Sequence, residues 1–263
     1  MTAKPRLGAR SVLRSRIRVG GIIALASLVV GIAIFLAWAS SPMAPEPGPL
    51  TASRADHAIT LTETADGVAL APHSPNGTGL VFLAGARVDP AAYADKLRGL
   101  ADAGVTVVIA RPTLNFAIFE TRPLSVFEGL APDSGVKKWY VGGHSLGGVG
   151  ACQYAADAPR GSGGAGTGAV AGVILFGSYC AVDLSHSGLP VLTLSASEDG
   201  LSTPAKIADA AHLLPKDAQL VSLPGADHAQ FGDYGLQPGD GTATSSDAQA
   251  KREITAAVLA FVG

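Results

Sequence analysis

Ten residues constrain this chain more than any others: Trp139-Tyr140-Val141-Gly142-Gly143-His144-Ser145-Leu146-Gly147-Gly148. An apolar, β-prone run ends at Gly142, and a small-residue run rich in helix formers begins near Leu146. Between them stands Gly143-x-Ser145-x-Gly147. In a strand–turn–helix setting this pattern describes a nucleophile elbow, a sharp turn that lifts one hydroxyl above a sheet. Side chains two residues before and after that hydroxyl would strike the strand and the helix, and glycine at both places removes the clash. With 33 glycines in 263 residues, the pattern alone could also be a Gly-rich connection. The order of the chemically capable residues downstream of Ser145 decides between the two.

Strands that read as continuous apolar runs alternate with helical stretches. Leu80–Ala84, Val105–Ile109, the run before Ser145, Val170–Phe176, Val191–Leu194 and Gln219–Leu223 are the expected strands. Helices are expected over Pro90–Ala103, about Leu124–Leu130, from the elbow to about Asp157, Pro204–Leu214 and Asp247–Val262. Such a pattern predicts a mostly parallel sheet covered on both faces, an α/β fold. Ile59–Thr62 and Val68–Leu70, around Asp66-Gly67, predict an antiparallel hairpin ahead of it. Gly161–Gly168 is expected to be a flexible loop.

Two further residues stand where such a sheet places chemistry, just past the carboxyl ends of strands. Asp199 follows Val191–Leu194, with Glu198 as the alternative carboxylate. Either could instead cap a helix. His228 follows Gln219–Leu223. The chain order Ser145, Asp199, His228 is that of a nucleophile, orienting acid and general base on this kind of sheet. His57, His73, His144, His186 and His212 do not fit the base position. His144 lies in the elbow and is expected to point away from Ser145. For the oxyanion of a tetrahedral intermediate two N–H donors are needed, and the candidates are Leu146 and Ala86, the latter on Gly85-Ala86-Arg87 after the first parallel strand.

These residues carry a resemblance to the α/β-hydrolase superfamily, and to a small bacterial branch similar to dienelactone-hydrolase-like serine hydrolases. The matching segments are Phe82–Pro90, Gly143–Gly148, Ser197–Leu201 and Asp227–Gly235. The resemblance implies a serine hydrolase acting on a carboxylic ester or similar acyl bond through an acyl-enzyme. The alternatives are an acyltransferase or peptidase with the same triad, or a non-catalytic binding protein on the same fold. Lipase-like members often carry His-Gly-Gly where this chain has Ala84-Gly85-Ala86. Ser178–Pro190 is too short for the inserted helical lid of many members, so an open site is expected.

The N-terminal region sets the compartment. Val19–Ala39 is uncharged and almost wholly apolar, long enough to span a bilayer. Residues 1–18 hold six basic residues and no acid. They would remain cytoplasmic, with the rest outside. An uncleaved signal anchor and a signal peptide cut near Ala39 are both open. Residues 40–56, with four prolines, are expected to form a stiff extended linker, and 57–263 the catalytic domain. Beyond the leader, 13 basic residues face 21 acids, which argues against nucleic acid as a partner. A small-molecule or lipid-like acyl substrate, and the membrane through the N-terminal helix, are the expected partners. No metal-ligand spacing or phosphate-binding loop is present in the sequence, so no cofactor is expected. Cys152 and Cys180 could form a disulfide or remain two buried thiols.

Overall fold

The computed structural model describes residues 8–132, 134–158 and 169–263. The expected loop at Gly161–Gly168 lies outside the described residues. The chain divides into two units, 1–41 and 42–263.

In the first unit, helix α1 (Gly8–Ala39) begins well before the apolar run. Its stretch Arg14–Ala39 is long and apolar enough to cross a membrane. At 1.5 Å per residue its 26 residues reach about 39 Å, more than a bilayer's hydrocarbon thickness. Ile22, Leu25, Leu28 and Ile34 are exposed.

In the second unit, eight strands among the described residues form one sheet in the order β1-β2-β4-β3-β5-β6-β7-β8. β1 (Ile59–Thr64) and β2 (Gly67–Pro72) form the expected hairpin, and β2 pairs antiparallel with β4 (Thr106–Ala110). From β4 onward all pairings are parallel, through β3 (Thr78–Leu83), β5 (Lys138–His144), β6 (Val173–Phe176), β7 (Val191–Ala196) and β8 (Gln219–Leu223). Alternate residues of the inner strands feed two cores. Leu80, Phe82, Val107, Ile109, Ile174 and Phe176 face one; Val81, Leu83, Val108, Val173 and Leu175 face the other. This is why these strands carry no polar alternation.

Helices cover both faces. The first core is closed by α3 (Ala94–Asp102) and α7 (Asp247–Val262), which supply Leu97, Leu100, Ile254 and Val258. The second is closed by α4 (Leu124–Glu128) and α5 (Leu146–Asp157), which supply Phe127, Ala151 and Cys152. The expected Pro90–Ala103 helix is a 3-10 turn over Pro90–Tyr93 that runs into α3. Asp89 caps it by accepting from the Ala91 N–H at 2.9 Å. α6 (Pro204–Ala210) is shorter than expected and tightens into a 3-10 turn at Ala211–Leu213.

The proline-rich segment departs from the extended linker expected of it. Pro47–Arg54 is helix α2, with Leu50 and Ser53 buried. Proline is tolerated in a first helical turn, where the missing N–H would have had no partner. Burial of Leu50 against the core around α3 supplies what propensity does not. Cys152 on α5 and Cys180 after β6 form a disulfide. Closing a loop of 28 residues is worth about 3.5 kcal/mol in the chain-entropy account. β6 and β7 are joined by residues 177–190 alone, with no large lid.

Candidate active site

The elbow is built by close backbone contacts. A Cβ on Gly143 would lie 2.3 Å from the Gly147 carbonyl carbon, and one on Gly147 would lie 2.1 Å from the Leu83 carbonyl oxygen. Both neighbours are backbone and cannot move aside. Ser145 between them takes φ 52° and ψ −124°, a conformation that costs an L residue about 1–3 kcal/mol and persists only where its surroundings enforce it. They do so here. Ser145 N–H donates to the Phe176 carbonyl at 3.0 Å, while the Ser145 carbonyl accepts from Ser178 Oγ at 2.6 Å and from Gly148 N–H at 3.0 Å. Ser178 packs against Gly148, where a Cβ would come within 2.4 Å of its hydroxyl. Ser145 is half-buried at the sheet's carboxyl edge.

At the next two strand ends, His228 Nδ1 lies 2.7 Å from Asp199 Oδ2, with both side chains fully buried. The other carboxylate oxygen of Asp199 accepts from the N–H groups of Leu201 (2.8 Å) and Ser202 (2.7 Å). These bonds leave the carboxylate one direction to face, toward the imidazole. With Nδ1–H donating to Asp199, His228 Nε2 is left as an acceptor. That nitrogen is buried and has no hydrogen-bond partner among the described residues. The structure therefore brings Asp199 and His228 together and makes no Ser145–His228 hydrogen bond. Such bonds are often long before substrate arrives. Glu198 is turned elsewhere, accepting from Ser197 Oγ at 2.9 Å. His57, His73, His186 and His212 are on the surface.

Among the described residues, neither the Ala86 nor the Leu146 N–H donates a hydrogen bond to the protein. Leu146 opens α5, so its N–H is one of the unpaired donors of a helix start. Ala86 lies between two engaged amides. Gly85 N–H donates to Tyr93 Oη at 3.0 Å, and Arg87 N–H to the Asn115 carbonyl at 2.9 Å.

Three residues that the sequence did not single out for this role support the site. Tyr93, fully buried, accepts from Gly85 and lies 2.9 Å from His144 Nδ1. With the Gly85 donor committed, the phenol proton goes to His144. The bracing that His-Gly-Gly would supply elsewhere is thus replaced by a tyrosine from the following turn. His144, expected to point away from Ser145, packs ring to ring with His228 at 4.3 Å between centroids. Burial, and then the adjacent His228, hold its pKa well below the ordinary histidine value. It is a neutral plate beside the base. Asp240 ties the acid and base loops together, accepting from the N–H groups of Gly200 (3.0 Å), His228 (3.2 Å) and Ala229 (2.8 Å). An Asp between two glycines was its only signal.

A cleft of about 280 Å³ runs along α5 from Val149, one turn past Ser145, lined by Ala117, Ile118, Arg122, Gln153 and Val182 among others. A larger cavity, about 370 Å³, lies at the C-terminal end of α5 around Ala155, Leu184 and Leu189, and none of the catalytic candidates lines it. Among the described residues no group of three His, Cys, Asp or Glu side chains could hold a metal ion.

The model of the alpha/beta hydrolase family matches residues 79–252. The chain belongs to that family. The match is to the family at large and does not distinguish the dienelactone-hydrolase-like branch. Solved structures with the same fold include esterase 2 of Thermogutta terrifontis phosphoramylated by tabun, at 16% identity and TM-score 0.53, covering 79% of this chain and 96% of that one. The butyrate-bound form of the same esterase aligns at 16% identity and TM-score 0.53, covering 78% and 94%. The form phosphonylated by sarin aligns at 14% and 0.54, covering 78% and 94%. No curated protein matches the sequence. Family membership supports the coarse statement that the chain is a hydrolase with an α/β-hydrolase fold and no large lid.

Proposed function

We propose that this hydrolase cleaves a carboxylic ester or similar acyl bond of a small or lipid-like substrate, with Ser145 as nucleophile, His228 as general base and acid, and Asp199 as the group that orients His228. The reading rests on one observation above all. A non-glycine residue, Ser145, is forced into a left-handed turn at the sheet edge that also carries a buried, hydrogen-bonded histidine–carboxylate pair.

The donors and acceptors present define the steps. Ser145 Oγ attacks the acyl carbon as its proton passes to His228 Nε2. Asp199 stabilises the imidazolium so formed. The oxyanion is held by the Leu146 and Ala86 N–H groups, each worth about 3–4 kcal/mol of barrier. Collapse expels the alcohol, which takes the proton from His228, and leaves an acyl-serine. Water then repeats the sequence in reverse, with His228 taking its proton, and returns free Ser145 and the carboxylic acid. We further infer that α1 anchors the chain, with the catalytic unit outside the membrane.

A fluorophosphonate probe tests the nucleophile. Wild type is expected to label covalently, and Ser145→Ala to lose both the label and at least about 10³-fold in turnover. A folded wild-type protein that does not label rules the proposal out. A panel of short p-nitrophenyl esters, thioesters and amides then ranks the acyl bond.

A further inference from the structure

The residues that come after the apolar helix form part of the catalytic rim. Met43 N–H donates to the Arg87 carbonyl at 2.6 Å, and the Met43 carbonyl accepts from Asp89 N–H at 3.0 Å. This bridge fixes residue 43 to the loop that carries Ala86. Three residues on, Glu46 N–H donates to the Asp233 carbonyl at 2.7 Å, on the loop that carries His228. One short strap thus touches the loop of the candidate oxyanion donor and the loop of the candidate base. α1 ends at Ala39. A trans chain covers at most about 3.6 Å per residue, so Met43 lies within about 14 Å of that end by covalent connection alone. The strap leads directly into α2, so no slack lies beyond it.

The same rim exposes apolar side chains. Leu236, three residues past Asp233, is 90% exposed. Ile118 is 60% and Phe119 43% exposed, in the segment whose Asn115 carbonyl holds Arg87. That segment is pinned from below. Glu120 accepts from the Thr113 and Arg122 N–H groups at 2.9 Å, and the Arg122 guanidinium reaches Asp66 at 2.7 Å. Its apolar side chains are therefore held outward. Both segments leave the carboxyl ends of strands, β4 and β8, at the edge that bears Ser145. Single exposed apolar residues are ordinary. Several of them on the two loops bound to the strap that follows α1 are what a surface facing lipid would carry.

We propose that this rim docks on the bilayer surface, so that the site takes an amphiphilic, long-chain acyl ester from the lipid–water interface. The cleft along α5, with Ile118 on its wall, would receive the acyl chain. The substrate part of the inference rests on the serine-hydrolase reading, and the docking part on α1 lying in the membrane. A short tether raises the effective concentration of such a surface without any added contact.

Docking is tested without catalysis. Cys152 and Cys180 are bridged, so an environment-sensitive fluorophore attaches selectively to Leu236→Cys, or to Ser74→Cys at the opposite, amino edge of the sheet. The labelled full-length chains are placed in phosphatidylcholine vesicles doped with doxyl lipids. Quenching at 236 and not at 74 is expected; no quenching at 236, or equal quenching at both, overturns the proposal. The substrate is tested with Phe119→Ser/Leu236→Ser, two exposed residues outside the lining of the cleft. Turnover of a long-chain ester held in the vesicles is expected to fall about tenfold or more, and that of a short soluble ester to stay within about twofold. Equal effects on the two esters, or none, overturn it. Should wild type neither label at Ser145 nor turn over either ester, the hydrolase reading fails and quenching still decides docking.

Discussion

Replacing Tyr93 by Phe removes one oxygen and keeps the ring that packs beside Phe82 and Tyr234. That oxygen is 3.0 Å from Gly85 N and 2.9 Å from His144 Nδ1, and Tyr93 is wholly buried. Two buried polar groups therefore lose their partner at once. An unsatisfied buried donor or acceptor costs about 1–3 kcal/mol, so the variant should lose about 2–6 kcal/mol of stability. The catalytic consequence is separate. Gly85 is bonded directly to Ala86, the candidate oxyanion donor, and losing such a donor outright costs about 10²–10³ in kcat. A donor loosened but not removed should cost less, about 10- to 100-fold in kcat, with KM unchanged because the oxyanion exists only in the transition state. Urea unfolding and steady-state kinetics on a short p-nitrophenyl ester measure the two effects on one preparation. If stability falls while kcat stays within about twofold, Tyr93 supports the core and not the chemistry. If KM alone changes, the assignment of Ala86 is wrong.

Gly147→Ala would place a methyl 2.1 Å from the Leu83 carbonyl oxygen and 2.7 Å from that of Ala84, and should cost about 3 kcal/mol or more; an unshifted urea midpoint would show that the elbow is looser than these contacts require. Asp233 is held up at about 6 by burial, against which its ion pair with Lys96 at 3.1 Å works only in part. Its folded pKa exceeds the ordinary 3.8, so the folded state binds the proton more tightly. Its contribution therefore favours folding most at low pH and declines as pH rises from about 4 to about 6, by roughly 3 kcal/mol in all. Asp233→Asn should flatten that part of the pH–stability curve, which thermal unfolding at pH 4, 5, 6 and 7 would reveal; an unchanged slope refutes the assignment.

The α/β pattern and the order of the candidate site are legible in the sequence because both are local. Apolar runs bounded by Gly and Pro mark the strands, and Gly143 and Gly147 record a backbone clash that nothing but glycine relieves. Asp199 and His228 stand out by their positions after strands, though not by anything in their neighbours. Tyr93, His144 and Asp240 act across the fold on backbone N–H groups and a ring, and such contacts leave no spacing in the sequence. Pro47–Arg54 misleads for a related reason. Four prolines argue for extended backbone only until a buried Leu50 outweighs them.

The Cys152–Cys180 bridge bears on how the protein is made. It clamps the helix that begins at Leu146 to the stretch just after Phe176, whose carbonyl holds the Ser145 amide. Material produced in a reducing cytosol would carry the full sequence without that clamp. The elbow's own backbone contacts remain, but the helix behind it is then tied to the sheet by packing alone, so recombinant expression should be directed to the periplasm or an equivalent oxidising pathway.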